Sequence, residues 1–152
     1  MAERNVVEWL EDLSKDDIPL VGGKNAALGE MIRNLAGKGV RVPGGFATTA
    51  QAYWQFLDAN DMRTRIADQI DALHHGTALA AVGEAIRHMF IDADFPPHIA
   101  DAVTGAYRTL AGRLEREDPD VAVRSSGTAE DLPEASFAGQ QETFLNITGE
   151  QA

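Results

Sequence analysis

Two stretches of this chain set a lone cation among glycines and small hydroxyl residues, a combination suited to gripping phosphate. The first is Gly22-Gly23-Lys24-Asn25. Glycine lets the backbone approach a ligand closely, and a helix starting here offers unpaired N–H groups and a partial positive charge. A lysine at that point reaches phosphate oxygens. The spacing is not that of the Walker loop, which has a longer glycine interval followed by Lys-Ser or Lys-Thr. Taken alone, the stretch reads more plainly as a glycine turn with a solvated lysine on the first helical turn.

The second stretch is Arg124-Ser125-Ser126-Gly127-Thr128-Ala129-Glu130-Asp131-Leu132-Pro133, continuing through Phe137-Ala138-Gly139-Gln140-Gln141-Glu142-Thr143. Arg124 is the last basic residue of the chain and ends a segment expected to be a buried strand. Its guanidinium presents a fork of donors matched to phosphate oxygens. The hydroxyls and glycines behind it suit a backbone cradle for polyphosphate. A polar surface loop with Arg124 paired to Glu130 or Asp131 accounts for the same residues, and the chemistry alone leaves both readings open.

Other candidates carry less. His74 and His75 stand beside Gly76, and His88 and His98 lie on helical segments, none at metal-ligand spacing. Asp16-Asp17 and Glu130-Asp131 read as solvated charge before they read as metal carboxylates. Tyr53-Trp54 is better explained by helix packing than by base stacking.

Composition narrows the field further. The 152 residues suffice for one domain with a hydrophobic core. Thirteen Lys and Arg face 24 Asp and Glu, a net charge of -11. Such a chain lacks the broad positive field that nucleic acid or an anionic membrane requires. A phosphate ligand must therefore be held by a few placed cations and backbone N–H groups. With no cysteine, disulfides, thiolate catalysis and Cys-ligated zinc are excluded. The start is polar rather than signal-like, and no apolar run approaches the roughly 20 residues that span a bilayer. Cytoplasmic residence is expected.

The elements that must position the two stretches follow from periodicity. Val6 to Leu10 reads as a strand. Leu28, Met31, Ile32 and Leu35 give the helix after Lys24 one buried face, and Gly37 and Gly39 end it. Val40 to Ala47 is extended around a Pro-Gly turn, and Thr48 or Thr49 caps a helix carrying Tyr53, Phe56 and Leu57. Residues 62 to 117 are helical almost throughout. One stripe is Leu79, Val82, Ile86, Met89 and Phe90, the other Ile99, Val103, Tyr107, Leu110 and Leu114, with Asp94-Phe95-Pro96-Pro97 between them. Val121 to Arg124 and Glu142 to Ile147 read as strands. The expected class is α+β, with short strands at both ends of a helical middle.

Longer runs carry a resemblance. Trp9-Leu10, Leu13-Ser14-Lys15-Asp16-Asp17, Val21 through Met31 and Val42-Pro43-Gly44-Gly45-Phe46-Ala47-Thr48-Thr49 closely resemble the start of the phosphoenolpyruvate synthases (pyruvate, water dikinases). The loop from Val123 through Asn146 resembles that family's second block, Arg-Ser-Ser-x-Thr-Ala-Glu-Asp-Leu-Pro and then Phe-Ala-Gly-Gln-Gln-x-Thr. Gly127 stands where alanine is expected, and its flexibility should loosen the loop. The two blocks span nearly the whole chain.

The resemblance implies that residues 1–152 are the N-terminal portion of an ATP-grasp-like nucleotide-binding domain. Family members convert ATP, pyruvate and water to AMP, phosphoenolpyruvate and phosphate through a phosphohistidine, with magnesium. By position, Lys24 would contact the nucleotide phosphates, Arg124 would hold the transferring phosphate, and Gly139 and Thr143 would belong to the phosphate-side loop. The adenine pocket, the Mg2+ ligands, the histidine domain and the pyruvate domain are expected beyond Ala152. This segment alone should therefore not turn over. A rifampin phosphotransferase shares both blocks, although Leu13-Ser14-Lys15-Asp16-Asp17 favours the synthase. A non-catalytic module binding nucleotide or protein is the reading from another class.

Overall fold

The computed structural model describes residues 5–128 and 142–150, and these form an α+β arrangement with two separate two-stranded antiparallel sheets. The first sheet pairs β1 (Val7–Trp9) with β2 (Phe46–Thr48) in the register Val7↔Thr48, Glu8↔Ala47 and Trp9↔Phe46. Alternation puts Val7 and Trp9 on one face, where the Trp9 ring meets Phe46 edge-on at 5.8 Å. The sheet is extended by Thr49, whose N–H donates to the Val6 carbonyl and whose hydroxyl donates to the Asn5 carbonyl.

Between these strands lie a short helix α1 (Ile18–Val21) and the longer α2 (Gly23–Leu35). The entry to α1 is set by Ser14. Its backbone N–H and hydroxyl both donate to the Asp17 carboxylate at 2.8 Å, and its hydroxyl oxygen accepts from the Asp16 N–H. These bonds hold the Asp17 carboxyl below its ordinary range, and the nearby Arg33 charge adds to the effect. The Leu13-Ser14-Lys15-Asp16-Asp17 run is thus a helix-entry device.

The buried stripe of α2 differs from the expected one. Met31 is exposed, Leu28 and Ile32 are partly buried, and the fully buried positions are Gly23, Ala26 and Gly29. The reason is proximity. At Gly29 a Cβ would fall 2.5 Å from the Leu13 carbonyl oxygen and 2.7 Å from that of Leu10. The helix lies so close to the turn after β1 that only small residues fit. Arg33 fastens the contact by donating to the Leu13 carbonyl at 2.6 Å. Leu10, Leu13, Val21, Ala26 and Ala47 form the core at this end.

The middle is helical, as its periodicity predicts: α3 (Ala50–Ala59), α4 (Met62–His74), α5 (Leu79–Ile91) and α6 (Pro97–Arg113). Thr49 is the residue that caps α3, accepting from the Ala52 N–H at 3.2 Å. Met62, Leu57, Val82, Ile99, Tyr107 and Leu110 are buried. Leu79 and Leu114, the outer ends of the two predicted stripes, are exposed instead. Each sits at a helix terminus, where a neighbour covers only one side. Tyr53 is also exposed, yet its ring stacks on Phe90 at 6.2 Å. Trp54 lies under the Arg63 guanidinium, so each ring also makes a contact with a neighbouring helix.

Gly29→Ala should cost about 1–3 kcal/mol, because two backbone carbonyls cannot retreat from an added methyl. Chemical denaturation checks this; an unchanged midpoint would mean that α2 does not approach the turn so closely.

Candidate functional site

The N-terminus of α2 is built around a glycine whose conformation and close surroundings disfavour any side chain. Gly22 caps the helix at φ 80° and ψ 161°, a conformation L side chains rarely adopt. Its missing side chain also leaves room for another part of the chain. A Cβ there would lie 2.4 Å from Ser126 Oγ and 2.6 Å from the Ser126 carbonyl oxygen. Next to it, the Asn25 side-chain amide donates to the Val21 carbonyl at 2.9 Å, joining the end of α1 to the start of α2.

Across this junction the two glycine-hydroxyl stretches meet. The Lys24 ammonium donates to the Ser125 carbonyl at 3.5 Å, and the Asn25 N–H donates to Ser126 Oγ at 3.4 Å, each contact spanning 101 residues of sequence. The segment that reaches Gly22 follows β3 (Val121–Arg124), which pairs antiparallel with β4 (Thr143–Ile147). Val121 pairs with Ile147, Val123 with Phe144 and Arg124 with Thr143, with an irregularity between Val121 and Val123. Arg124 and Thr143 are therefore cross-strand neighbours at the end of the ribbon nearest α2.

The base of the ribbon is held by α6. The buried Tyr107 hydroxyl donates to the Pro119 carbonyl at 2.8 Å and accepts from the Gly149 N–H at 3.0 Å. Beside it Arg108 grips Glu150 through two contacts of 2.5 and 2.6 Å. That bond holds the Glu150 carboxyl below its usual range and raises Arg108. The C-terminal end of α6 reaches back to the first sheet, with Arg113 over the Trp9 ring at 3.6 Å and bonded to Glu11. One helix thus holds both strand pairs.

β3 corrects the expectation that Arg124 ends a buried strand. Val123 is 49 % exposed, Phe144 54 % and Leu145 65 %. Among the described residues each strand has a single hydrogen-bonded neighbour, and a two-stranded ribbon covers little of either face. Gly139, Glu130 and Asp131 lie outside the described residues.

A cleft of about 280 Å³ opens beside the junction, lined by Leu20, Val21, Thr48, Tyr53, Ser126 and Thr128 among others. Thr48, Thr49 and Tyr53 also line a more apolar hollow of about 270 Å³ faced by Phe56, Phe90 and Phe95. Neither lining includes Lys24 or Arg124.

Several features escape local sequence reading. Ser126 meets Gly22 from a distant segment, and Tyr107 reads as an ordinary stripe residue. The Gly22-Gly23 pair was the visible signal, since paired glycines before a helix mark close backbone approach. The histidines are otherwise engaged where their bonds are described: His98 Nε2 contacts Gln55 Oε1, and His75 Nδ1 contacts the Asp71 carbonyl. Among the described residues, no three His, Asp or Glu side chains gather as a metal site. None of the described helices is long and apolar enough to cross a membrane.

The sequence that builds this α+β frame matches a known family. The profile of the family "Pyruvate phosphate dikinase, AMP/ATP-binding domain" matches residues 18–152, and the chain belongs to that family. It is also similar to curated phosphoenolpyruvate synthases. Identity is 54% to that of Pseudomonas aeruginosa, 51% to that of Escherichia coli and 47% to that of Aquifex aeolicus, each over 95% of this chain. The chain spans only 19%, 18% and 17% of those relatives, respectively.

Tyr107→Phe should leave the Pro119 carbonyl and the Gly149 N–H unpaired and cost about 1–3 kcal/mol. Hydrogen exchange should quicken in β3 and β4 while α2 stays protected. Unchanged exchange in the ribbon would show that α6 does not hold it.

Proposed function

We propose that this chain is the first part of the ATP-grasp-like nucleotide-binding domain of a phosphoenolpyruvate synthase. Such an enzyme passes phosphate from ATP through a phosphohistidine to pyruvate, giving phosphoenolpyruvate, AMP and phosphate. The observation that carries the reading is the meeting of the Lys24 and Ser125–Ser126 segments across 101 residues. Family membership and the names of the relatives support the same conclusion. A cytoplasmic enzyme fits it.

In this reading the segment supplies the phosphate side of the ATP site and does not turn over by itself. Lys24, on the first turn of α2, contributes a point charge and a donor to the nucleotide phosphates. Thr143, opposite Arg124 at the start of β4, would offer its hydroxyl to them, and Gly139 is assigned to the phosphate side by its place in the family's motif. The adenine pocket, the histidine and the pyruvate site come from the remainder of the synthase. Magnesium accompanies the family's reaction, and among the described residues no three His, Asp or Glu side chains gather to hold it.

Arg124 has the demanding role. Phosphoryl transfer spreads charge over the equatorial oxygens of the moving group, and the protein contributes mainly position and countercharge. A guanidinium forming two parallel hydrogen bonds is suited to that charge. Contacts that strengthen in the transition state raise turnover more than they tighten ATP binding.

Arg124→Lys in the full-length enzyme should therefore lower turnover by about tenfold to a thousandfold, in line with loss of one transition-state donor. ATP affinity, measured separately, should change much less. Unchanged turnover with weakened binding would make Arg124 an ordinary ground-state contact. No change in either would return it to a surface loop.

A further inference from the structure

We propose that Ser126 is a positioning residue for the phosphate site, capping α2 from outside the helix and thereby setting Lys24 against the strand that carries Arg124. The inference rests on the phosphate roles proposed above for those two cations.

A helix leaves its first N–H groups without intrahelical partners, and an N-cap side chain ordinarily accepts from the second or third. In α2 the cap position is Gly22, which has no side chain to offer. The third residue, Asn25, instead donates its N–H to Ser126 Oγ at 3.4 Å. Ser126 stands where a cap side chain would stand. The space for it exists because Gly22 has no Cβ: one placed there would lie 2.4 Å from that same oxygen and 2.7 Å from the Ser126 carbonyl carbon.

Two further contacts make this cap a positioning device. Ser125, next in the chain, accepts from the Lys24 ammonium at 3.5 Å, so the loop that caps the helix also steers the lysine. One residue earlier is Arg124, fixed by its pairing with Thr143. Three consecutive residues thus tie the lysine, the helix start and the arginine strand into one register. The hydroxyl of Ser126 has no need to touch ATP.

The test uses the full-length enzyme with Ser126→Ala, Ser126→Thr, Lys24→Ala and the double variant Lys24→Ala/Ser126→Ala. ATP affinity and turnover are measured for each. Ser126→Ala should weaken ATP binding about fivefold, the size of a lost helix cap, and lower turnover as well. Ser126→Thr, which keeps the oxygen, should restore most of both. In the Lys24→Ala background the same Ser126→Ala change should alter ATP affinity less than about twofold, because linked residues do not act additively. Equal effects in both backgrounds, or no effect in the parent, would overturn the positioning role. If Lys24→Ala alone left ATP affinity unchanged, the phosphate assignment itself would fall, and this inference with it.

Discussion

The contact between Gly22 and Ser126 is the constraint on which the candidate site depends. Glycine adopts the positive φ of this helix start without steric cost, and the space left by its missing side chain is taken by another part of the backbone. Removing the side chain at position 22 lets two loops approach to a distance that only backbone and a small hydroxyl tolerate. The proximity of Lys24 to Ser125 follows from that approach. The same logic recurs at Gly29, where α2 lies against the carbonyls of Leu10 and Leu13. Glycine at both points lets α2 be gripped on two sides.

The helical middle, featureless as chemistry, is what returns the chain to Gly22. Helix α6 touches the first sheet through Arg113, with Trp9 and Glu11, and the ribbon through Tyr107 and Arg108. The Tyr107 hydroxyl is an economical join, since one buried group bonds both the segment entering β3 and the segment leaving β4. Fixing the base of an antiparallel pair orients its far end, where Arg124 faces Thr143. The separation of the two strand pairs along the sequence is thus bridged by packing rather than by a shared sheet.

Much of this was legible from local patterns. The bounds of β3 follow from Val121-Ala122-Val123-Arg124, the cap of α3 from Thr49, and the break before α6 from Pro96-Pro97. The burial of individual residues was less legible. Met31 fits the helical period of α2, but close approach at Gly29 shifts the buried stripe toward glycine and alanine. The apolar run Val121-Ala122-Val123 suggests a covered strand, whereas its cover depends on neighbours that β3 and β4 alone do not provide. Ser126 stands in its motif with no role visible from sequence, because an acceptor 101 residues away leaves no periodic trace near the helix it caps.

Two distant segments acting as one phosphate-binding unit should respond together to a phosphate ligand. Hydrogen–deuterium exchange on the full-length protein, with ATP, tripolyphosphate or adenosine, tests this most directly. ATP and tripolyphosphate should slow exchange together in residues 20–28 and 121–128, and adenosine should slow neither. Protection of only one segment, or equal protection by adenosine, would contradict a shared phosphate site.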